Sequence, residues 1–335
     1  MSNIEFSPIA VLGAGAWGTA LSLHLANSHQ EVHLWEFDRD QVKLLQKDHT
    51  NERYLSGFFF PENLTVYENL ADAIKTVKTI LVAVPSFAFK QTLLTLKPLI
   101  NSDVSIVWAT KGIDPESCEL LHTIAKASLG ARSFAVLSGP SFAKEVAKGL
   151  PTAVSLASNN TAFADELVKR FNQHAFRVYT SDDLVGVQLG GAVKNVIAIA
   201  IGLCDGLAYG ANARCALITR GIAEIMRLGL AMGAKQETFM GLSGMGDLVL
   251  TCTDNQSRNR RFGLALGQGI EIDVAKKQIG QVIEGTHTVK QVIALANQYH
   301  VEMPICDMVN RILNNEISPK SAVLAFLSRE PKSEF

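Results

Sequence analysis

Three glycines near the N-terminus have the spacing that a dinucleotide-binding loop requires. They are Gly13, Gly15 and Gly18, and an apolar run at residues 9–12 directly precedes them. In such a loop the first glycine allows a tight turn, the second lets the backbone approach a pyrophosphate, and the third lets the next helix pack closely on the strand. Free N–H groups at the start of that helix then face the negative charge. The pattern predicts a nicotinamide dinucleotide site.

The residues after the loop complete a strand–helix–strand unit of the kind that binds dinucleotides. Residues 19–28 have the periodicity of a helix, and residues 32–35 resemble a second buried strand, which ends at Glu36, Phe37 and Asp38. An acidic residue about 20 positions after the glycines binds the adenosine ribose hydroxyls in this arrangement. A structural loop followed by an ordinary polar strand end is the alternative interpretation.

The charges near this strand end leave the choice of cofactor open. Glu36 and Asp38 would repel a 2′-phosphate, whereas Arg39 could accept one. The sequence therefore predicts NAD or NADP as the cofactor without choosing between them.

Lys194 is the strongest candidate for acid–base chemistry. It lies in residues 192–199, a segment that is otherwise apolar enough to be core. An unpaired ammonium is costly to bury, and burial lowers the pKa of a lysine toward the range in which it exchanges protons. The alternative is a lysine whose long side chain reaches water from a helix face.

A group of basic residues at positions 257–261 could hold a phosphate. Three arginines stand there with Ser257 and Asn259, and guanidinium groups with hydrogen-bonding neighbours suit a dianionic phosphate. A solvated basic face is the alternative.

Asp247 and Lys111 are the other charged candidates. Asp247 ends a glycine-rich turn at residues 243–247, where an aspartate by itself is more often a helix cap or turn residue. If it lies beside Lys194, its carboxylate opposes the effect of burial and raises the pKa of the lysine. Lys111 follows a predicted strand, at the edge where doubly wound sheets bind ligands.

The elements that must position these residues change in type along the chain. Short apolar runs that read as strands alternate with helix-like segments in the first half, at residues 79–84, 104–109, 134–137, 153–157 and 176–179, with helices at 89–99 and 116–129. Such alternation predicts a mostly parallel, doubly wound Rossmann sheet. Later segments have only helical periodicity, at residues 189–203, 211–232, 289–299, 305–313 and 319–327.

Two domains are therefore expected, an α/β dinucleotide-binding Rossmann domain at residues 1–188 and an all-helical substrate domain at residues 189–335. The length of 335 residues also favours two domains. No Pro/Gly/Ser-rich linker separates them, so we expect close packing with the substrate in the cleft between them.

Composition excludes several classes of protein. The formal net charge is −1, which gives no electrostatic reason to expect nucleic acid or an acidic membrane as a partner. The five cysteines include no C-x-x-C pair, and they form no cluster with the eight histidines, so neither a disulfide framework nor a metal site is indicated. With no signal peptide and no uninterrupted run of about 18 apolar residues, a cytoplasmic protein is expected.

Six segments together resemble one family across nearly the whole chain and in the same order. They are residues 13–18, 108–112, 138–145, 190–195, 244–248 and 255–261. The family is bacterial NAD(P)-dependent glycerol-3-phosphate dehydrogenase. The resemblance implies interconversion of dihydroxyacetone phosphate and sn-glycerol 3-phosphate, a supply of glycerol backbones for phospholipids, and a homodimer.

The resemblance also implies roles for single residues. Lys194 would be the catalytic residue, exchanging the proton of the C2 hydroxyl. The substrate-binding residues would be Lys111, Gly139, Ser141, Lys194, Asp247, Ser257, Arg258 and Asn259. The cofactor-binding residues would be Gly13, Gly15, Ala16, Trp17, Gly18, Phe37, Lys111, Ala143, Arg258, Val282 and Glu284.

Two other functions compete with this interpretation. A dehydrogenase of β-hydroxy acids or nucleotide sugars would keep the glycine loop and a lysine but not the cluster at 255–261, and four-electron oxidation of a sugar would need a cysteine nucleophile, for which Cys252 is the nearby candidate. A dinucleotide sensor without activity would not need Lys194 together with Asp247. No metal is needed for hydride transfer.

Overall fold

The structure, a computed structural model, describes residues 6–322. Ten strands are found in this part of the chain, and eight of them form one sheet. In chain order the strands are β1 (Ile9–Leu12), β2 (Val32–Trp35), β3 (Thr50–Asn51), β4 (Leu55–Phe59), β5 (Leu64–Tyr67), β6 (Thr79–Val82), β7 (Ser105–Trp108), β8 (Phe134–Ser138), β9 (Thr152–Ser158) and β10 (Phe176–Ser181).

The large sheet has the order β10-β9-β8-β7-β6-β1-β2-β5. Neighbouring strands are parallel except β8 and β9, which are antiparallel. The central strands β1 and β6 are buried on both faces, as expected of a sheet covered by helices on both sides. The chain leaves β1 toward β2 on one side and returns to β6 on the other, so a crevice opens at their carboxyl ends.

Seven helices connect these strands and cover the sheet. They are α1 (Ala16–Asn27), α2 (Arg39–Asp48), α3 (Leu70–Ile74), α4 (Ser86–Leu96), α5 (Leu121–Leu129), α6 (Ala143–Ala147) and α7 (Thr161–Phe171). A 3₁₀ turn at Lys97–Leu99 follows α4. The strands β3 and β4 form a separate antiparallel hairpin after α2.

In the described residues eight further helices follow β10, and the first of them, α8, is surrounded by the others. They are α8 (Leu184–Gly206), α9 (Gly210–Ala231), α10 (Gln236–Met240), α11 (Asp247–Thr253), α12 (Arg258–Gly267), α13 (Ile272–Ile279), α14 (Glu284–Gln298) and α15 (Pro304–Leu313). One π-helical turn, Leu242–Gly246, leads into α11.

Helix α8 is the central element of the helical part. By length and composition alone it could cross a membrane, with a mean hydropathy of 1.7 in its most apolar window, yet 83% of that window is buried inside the protein. Its apolar residues from Leu189 to Leu203 belong to one core that the surrounding helices complete. Its character is therefore that of a buried core helix.

Helices α8 and α12 approach each other backbone to backbone because glycines face each other in the contact. Gly202 and Gly206 on α8 meet Gly263 and Gly267 on α12. A β-carbon on Gly202 would lie 2.0 Å from a carbonyl oxygen of α12, and one on Gly263 would lie 2.0 Å from a carbonyl oxygen of α8. This close contact brings the start of α12 beside the middle of α8.

The predicted fold class is confirmed: an α/β sheet domain is followed by helices alone in the described residues. The helix predicted at residues 116–129 was wrong in its first turn, because α5 begins at Leu121 after a turn in which Cys118 has a φ of 58°. The helix predicted at 319–327 lies partly outside the described residues. The division after residue 188 falls within the first turns of α8 and stays a proposal.

Candidate active site

The glycine loop has the shape that a dinucleotide needs. Gly13 has a φ of +106°, a conformation that side chains disfavour, and a β-carbon on Gly18 would lie 2.0 Å from Gly13 O. The space in front of Gly15 is open, since a β-carbon there would meet nothing within 4 Å. No side-chain hydrogen bond caps α1 in the described part of the chain. The first N–H groups of α1, which include Ala16 and Trp17, therefore suit a pyrophosphate.

At the end of β2 the acidic residues differ in their surroundings. Glu36 is 7% exposed, and its carboxylate accepts hydrogen bonds from the N–H groups of Ala14 (2.8 Å) and Phe37 (2.9 Å). Asp38 instead caps α2 and pairs with Arg53 at 3.4 Å. Phe37 is 79% exposed, so its ring is free to contact a bound base.

Arg39, which the sequence offers as a possible partner for a 2′-phosphate, forms an exposed ion pair with Glu68 at 3.1 Å. Arg39 and Arg53 at this rim are therefore already paired with carboxylates, whereas Glu36 accepts hydrogen bonds from three backbone N–H groups, those of Ala14, Phe37 and Asp38.

Asp247 joins two lysines from different parts of the fold. Its carboxylate accepts a hydrogen bond from Lys111 Nζ at 2.6 Å and another, shorter one from Lys194 Nζ. Lys111 follows β7 of the sheet, whereas Lys194 lies in the middle of α8 and Asp247 begins α11. Because Asp247 is 1% exposed and Lys194 is 6% exposed, this cluster is shielded from water.

The buried position of Lys194 changes its acidity. Burial lowers its pKa to about 7, Asp247 opposes this change, and the charge of Lys111 adds to it. The Nζ atom also donates to Thr251 Oγ1 at 2.8 Å, and Thr251 Oγ1 donates to the carbonyl oxygen of Asp247 at 2.6 Å. Burial therefore outweighs the charge of Asp247 in setting the pKa of Lys194, which the sequence alone left open.

The loop after β8 borders the same cluster. Gly139 O accepts hydrogen bonds from Lys111 Nζ (2.9 Å) and from Ser141 Oγ (3.0 Å). Gly139 has a φ of +147°, and a β-carbon there would lie 2.9 Å from the backbone of β9, so only glycine fits. Ser138 Oγ is buried and has no hydrogen-bond partner among the described residues. Ala143, a predicted cofactor residue, begins α6 directly after this loop.

The first turn of α12 lies beside α8. Ser257 caps α12 by accepting from Arg260 N at 3.2 Å, and Asn259 donates to Asn195 Oδ1 at 2.9 Å. Burial lowers the pKa of the Arg258 guanidinium. The Arg260 guanidinium instead forms an ion pair with Asp205 of α8 at 2.5 Å.

Glu284 begins α14 and connects the helical part to the sheet domain. Its Oε2 atom accepts from Ser86 Oγ, at the start of α4, at 2.8 Å. Burial raises its pKa, which Ser86 and the nearby Arg258 oppose. Val282, two residues earlier, is partly exposed.

The structure thus brings Lys111, Gly139, Ser141, Lys194 and Asp247 together through direct hydrogen bonds. The glycine loop and Phe37 form a separate part of the site at the ends of β1 and β2.

Sequence reasoning missed three residues of this region, namely Thr251, Asn195 and Ser86. Thr251 follows Asp247 by four residues, one helical turn, so spacing could have indicated it. Asn195 had no such signal, because its partner Asn259 is 64 residues away. Nothing local distinguishes Ser86, because its partner Glu284 is 198 residues away.

Comparison with known proteins identifies the family of this chain. A family model described as NAD-dependent glycerol-3-phosphate dehydrogenase N-terminus matches residues 8–164, and the corresponding C-terminus model matches residues 183–324. The chain is 52% identical to glycerol-3-phosphate dehydrogenase (NAD(P)+) of Coxiella burnetii strain RSA 331, over 98% of each chain. It is 51% identical to the enzyme of the same name from Legionella pneumophila strain Lens, over 97% of this chain and 98% of that one.

Solved structures show the same relation. The crystal structure of glycerol-3-phosphate dehydrogenase from Coxiella burnetii superimposes with a TM-score of 0.95 at 52% identity, covering 97% of this chain and 99% of that one. Glycerol-3-phosphate dehydrogenase of Saccharomyces cerevisiae gives a TM-score of 0.82 at 25% identity, with 95% and 98% covered.

Proposed function

The chain belongs to the NAD-dependent glycerol-3-phosphate dehydrogenase family, and on that basis we propose which of its residues carry the reaction. It is an NAD(P)-dependent oxidoreductase that interconverts dihydroxyacetone phosphate and sn-glycerol 3-phosphate. This reaction supplies glycerol 3-phosphate for phospholipid synthesis.

Lys194 acts as the general acid when dihydroxyacetone phosphate is reduced and as the general base in the opposite direction. The observation that carries this role is the buried Lys111–Asp247–Lys194 cluster. A pKa of about 7 lets Lys194 both release and accept a proton near neutral pH. Asp247 and Thr251 orient its Nζ atom, and Lys111 contacts the C2 oxygen of the substrate, which takes up or releases this proton.

The start of α12 holds the substrate phosphate. Arg258 supplies the guanidinium, Asn259 an amide, and Ser257, which caps the helix by accepting from Arg260 N, a hydroxyl. Gly139 and Ser141 approach the substrate from the loop after β8.

The dinucleotide supplies or accepts the hydride when it is bound. Gly13, Gly15, Gly18 and the first turn of α1 hold its pyrophosphate. Phe37 would contact the adenine, and the remaining residues that would hold the dinucleotide are Lys111, Ala143, Arg258, Val282 and Glu284.

We propose further that the enzyme is a cytoplasmic homodimer without nucleic-acid or membrane partners. The balanced net charge supports the lack of a nucleic-acid partner, and the burial of α8 supports the lack of a membrane partner. Light scattering of the purified protein tests the dimer, which should have about twice the monomer mass of 36.3 kDa.

The roles at α12 are tested by comparing two substrates. Arg258→Ala should raise the KM for dihydroxyacetone phosphate strongly, and Arg258→Lys should be intermediate because it keeps the charge but loses the planar fork. Activity on unphosphorylated dihydroxyacetone should change much less.

Arg220→Ala, on the exposed face of α9, is the control and should leave both substrates unaffected. If Arg258→Ala weakened both substrates by the same factor, Arg258 would act on the cofactor or the fold, and the phosphate assignment would be wrong.

A further inference from the structure

Both peptide groups of Ala14, the residue between the first two glycines, are held by side chains from outside the loop. The N–H group of Ala14 donates to Glu36 Oε2 at 2.8 Å. Its carbonyl oxygen accepts from Asn51 Nδ2 at 2.7 Å. Asn51 ends β3 in the small hairpin that follows α2, 37 residues after Ala14.

The Asn51 side chain has no freedom to turn away from the loop. It is 0% exposed, and its Oδ1 atom accepts from Gln41 Nε2 (3.1 Å) and from Tyr54 N (3.3 Å). The second hydrogen of its Nδ2 group is donated to Thr19 Oγ1 at 2.8 Å. All four hydrogen-bonding positions of the amide are therefore used, and the two donors at Oδ1 decide which end of the amide faces Ala14.

The bond to Ala14 O has a consequence for the neighbouring glycine. The carbonyl of Ala14 and the N–H of Gly15 belong to one planar, trans peptide group, so fixing the oxygen also fixes the direction of the N–H. The N–H of Gly15 points away from Asn51, and the space in front of Gly15 is open. Without Asn51 this peptide could rotate readily, because the glycine on its far side restricts the backbone little.

We propose that Asn51 is a positioning residue for the dinucleotide. It holds the Ala14–Gly15 peptide so that the Gly15 N–H faces the pyrophosphate before the cofactor arrives, which removes an ordering cost from binding. Through Gln41 and Tyr54 this places α2 and the β3–β4 hairpin among the elements that determine cofactor affinity. The inference rests on the proposed dinucleotide site but not on the identity of the substrate.

The test is Asn51→Asp, measured by the dissociation constant of NADH in the absence of substrate. The replacement has the same shape and keeps the acceptor for Gln41 and Tyr54, but it sets a carboxylate oxygen against Ala14 O. We expect the dissociation constant for NADH to rise by about tenfold or more. The KM for dihydroxyacetone phosphate at saturating NADH should stay within about twofold of the wild-type value.

Asn63→Asp is the matched control. Asn63 also donates both hydrogens of its amide to backbone carbonyls of the sheet domain, those of Ala26 (2.8 Å) and Gln30 (2.6 Å). It should lower the melting temperature as Asn51→Asp does but leave NADH binding unchanged, so that loss of stability alone is separated from positioning.

If Asn51→Asp does not fold, Gln41→Met provides the same information. It removes one of the donors that orient the Asn51 amide and should weaken NADH binding in the same direction, by a smaller factor. Unchanged NADH affinity in folded Asn51→Asp, or equal weakening by Asn63→Asp, would overturn the proposal. Because NADH binding is measured directly, a failure of the dehydrogenase assignment would show separately, as the lack of turnover with dihydroxyacetone phosphate in the wild-type protein.

Discussion

The Lys194 ammonium has a lowered pKa of about 7 because it is buried, and this gives opposite pH dependences to the two directions of the reaction. Reduction needs the protonated form as acid, so kcat/KM should fall as the pH rises through about 7. Oxidation needs the neutral amine, so its kcat/KM should fall as the pH drops through the same value.

Lys194→Met should lower kcat by about 10²-fold or more, the usual effect of losing a positioned acid or base. The change of kcat/KM with pH near 7 should also disappear in this variant. Lys78→Met is the control, since Lys78 is exposed and pairs with Asp103 far from the cluster. A Lys194→Met enzyme with nearly normal turnover would exclude the acid–base role.

A substitution at Gly15 tests cofactor binding without disturbing the fold. Its φ of −69° and ψ of 177° suit any residue, and a β-carbon there meets nothing within 4 Å. Gly15→Ala should therefore keep the melting temperature of the wild type while weakening NADH binding by about tenfold or more, because its methyl group takes the space of the pyrophosphate. Gly18→Ala is the contrasting variant: its methyl group clashes with Gly13 O, so it should lower the melting temperature. If Gly15→Ala bound NADH as tightly as the wild type, the assignment of this loop to the pyrophosphate would be wrong.

Glu36 should make the enzyme favour NADH over NADPH. Its carboxylate is fixed by backbone N–H groups at the end of β2, where a 2′-phosphate would approach, and the cations nearby are already paired. Glu36→Gln removes this negative charge, so the ratio of kcat/KM for NADH to that for NADPH should fall by about fivefold or more. Glu62→Gln, at an exposed position two residues before β5, should leave the ratio unchanged. A wild-type preference for NADPH would contradict this role of Glu36.

At the scale of the elements, Glu224 joins α9 to the start of α15. It is 2% exposed and accepts from the N–H groups of Ile305 (2.7 Å) and Cys306 (3.3 Å). Burial raises its pKa from 4.5 to about 7, although these N–H groups and the charge of Arg227 oppose the change. Between these two pH values the folded protein keeps a proton that the unfolded chain has lost, so this group makes the protein less stable as the pH rises.

Glu224→Gln removes this dependence. The melting temperature of the variant relative to the wild type should therefore increase between pH 5 and pH 8, as measured by calorimetry. Glu237→Gln, at an exposed position in α10, should show a constant difference. An equally constant difference for Glu224→Gln would mean that Glu224 stays ionised in the folded protein throughout this range.

At the scale of the whole molecule, the Lys111–Asp247 bond crosses from the sheet domain to the helical part. The charge of Lys111 helps to lower the pKa of Lys194, and Lys111 also shares the carboxylate of Asp247 with it. Lys111→Gln should therefore raise the pKa of Lys194. The pH at which kcat/KM for reduction falls should then be higher than in the wild type, even if the variant is less active.

Lys126→Gln, on the exposed face of α5, should not change this pH. A Lys111→Gln variant whose kcat/KM falls at the same pH as in the wild type would show that the two domains do not share the proton-transfer site.

Much of this molecule follows from local sequence. The spacing of Gly13, Gly15 and Gly18 and the change from strand-like to helical periodicity depend only on neighbouring residues, because backbone geometry and side-chain alternation are local properties. They therefore predicted the doubly wound sheet, the helices that follow it and the dinucleotide loop. The six matching segments likewise indicated the family from sequence alone.

Tertiary structure decided which side chains meet. Asp247 lies 136 residues from Lys111 and 53 from Lys194, and no periodicity relates such distant positions. Whether burial or Asp247 dominates the pKa of Lys194 depends on how α8, α11 and β7 pack. The contact of Asn51 with the glycine loop depends in the same way on where the β3–β4 hairpin folds back, because hydrogen bonds between distant residues form only after packing has brought their elements together.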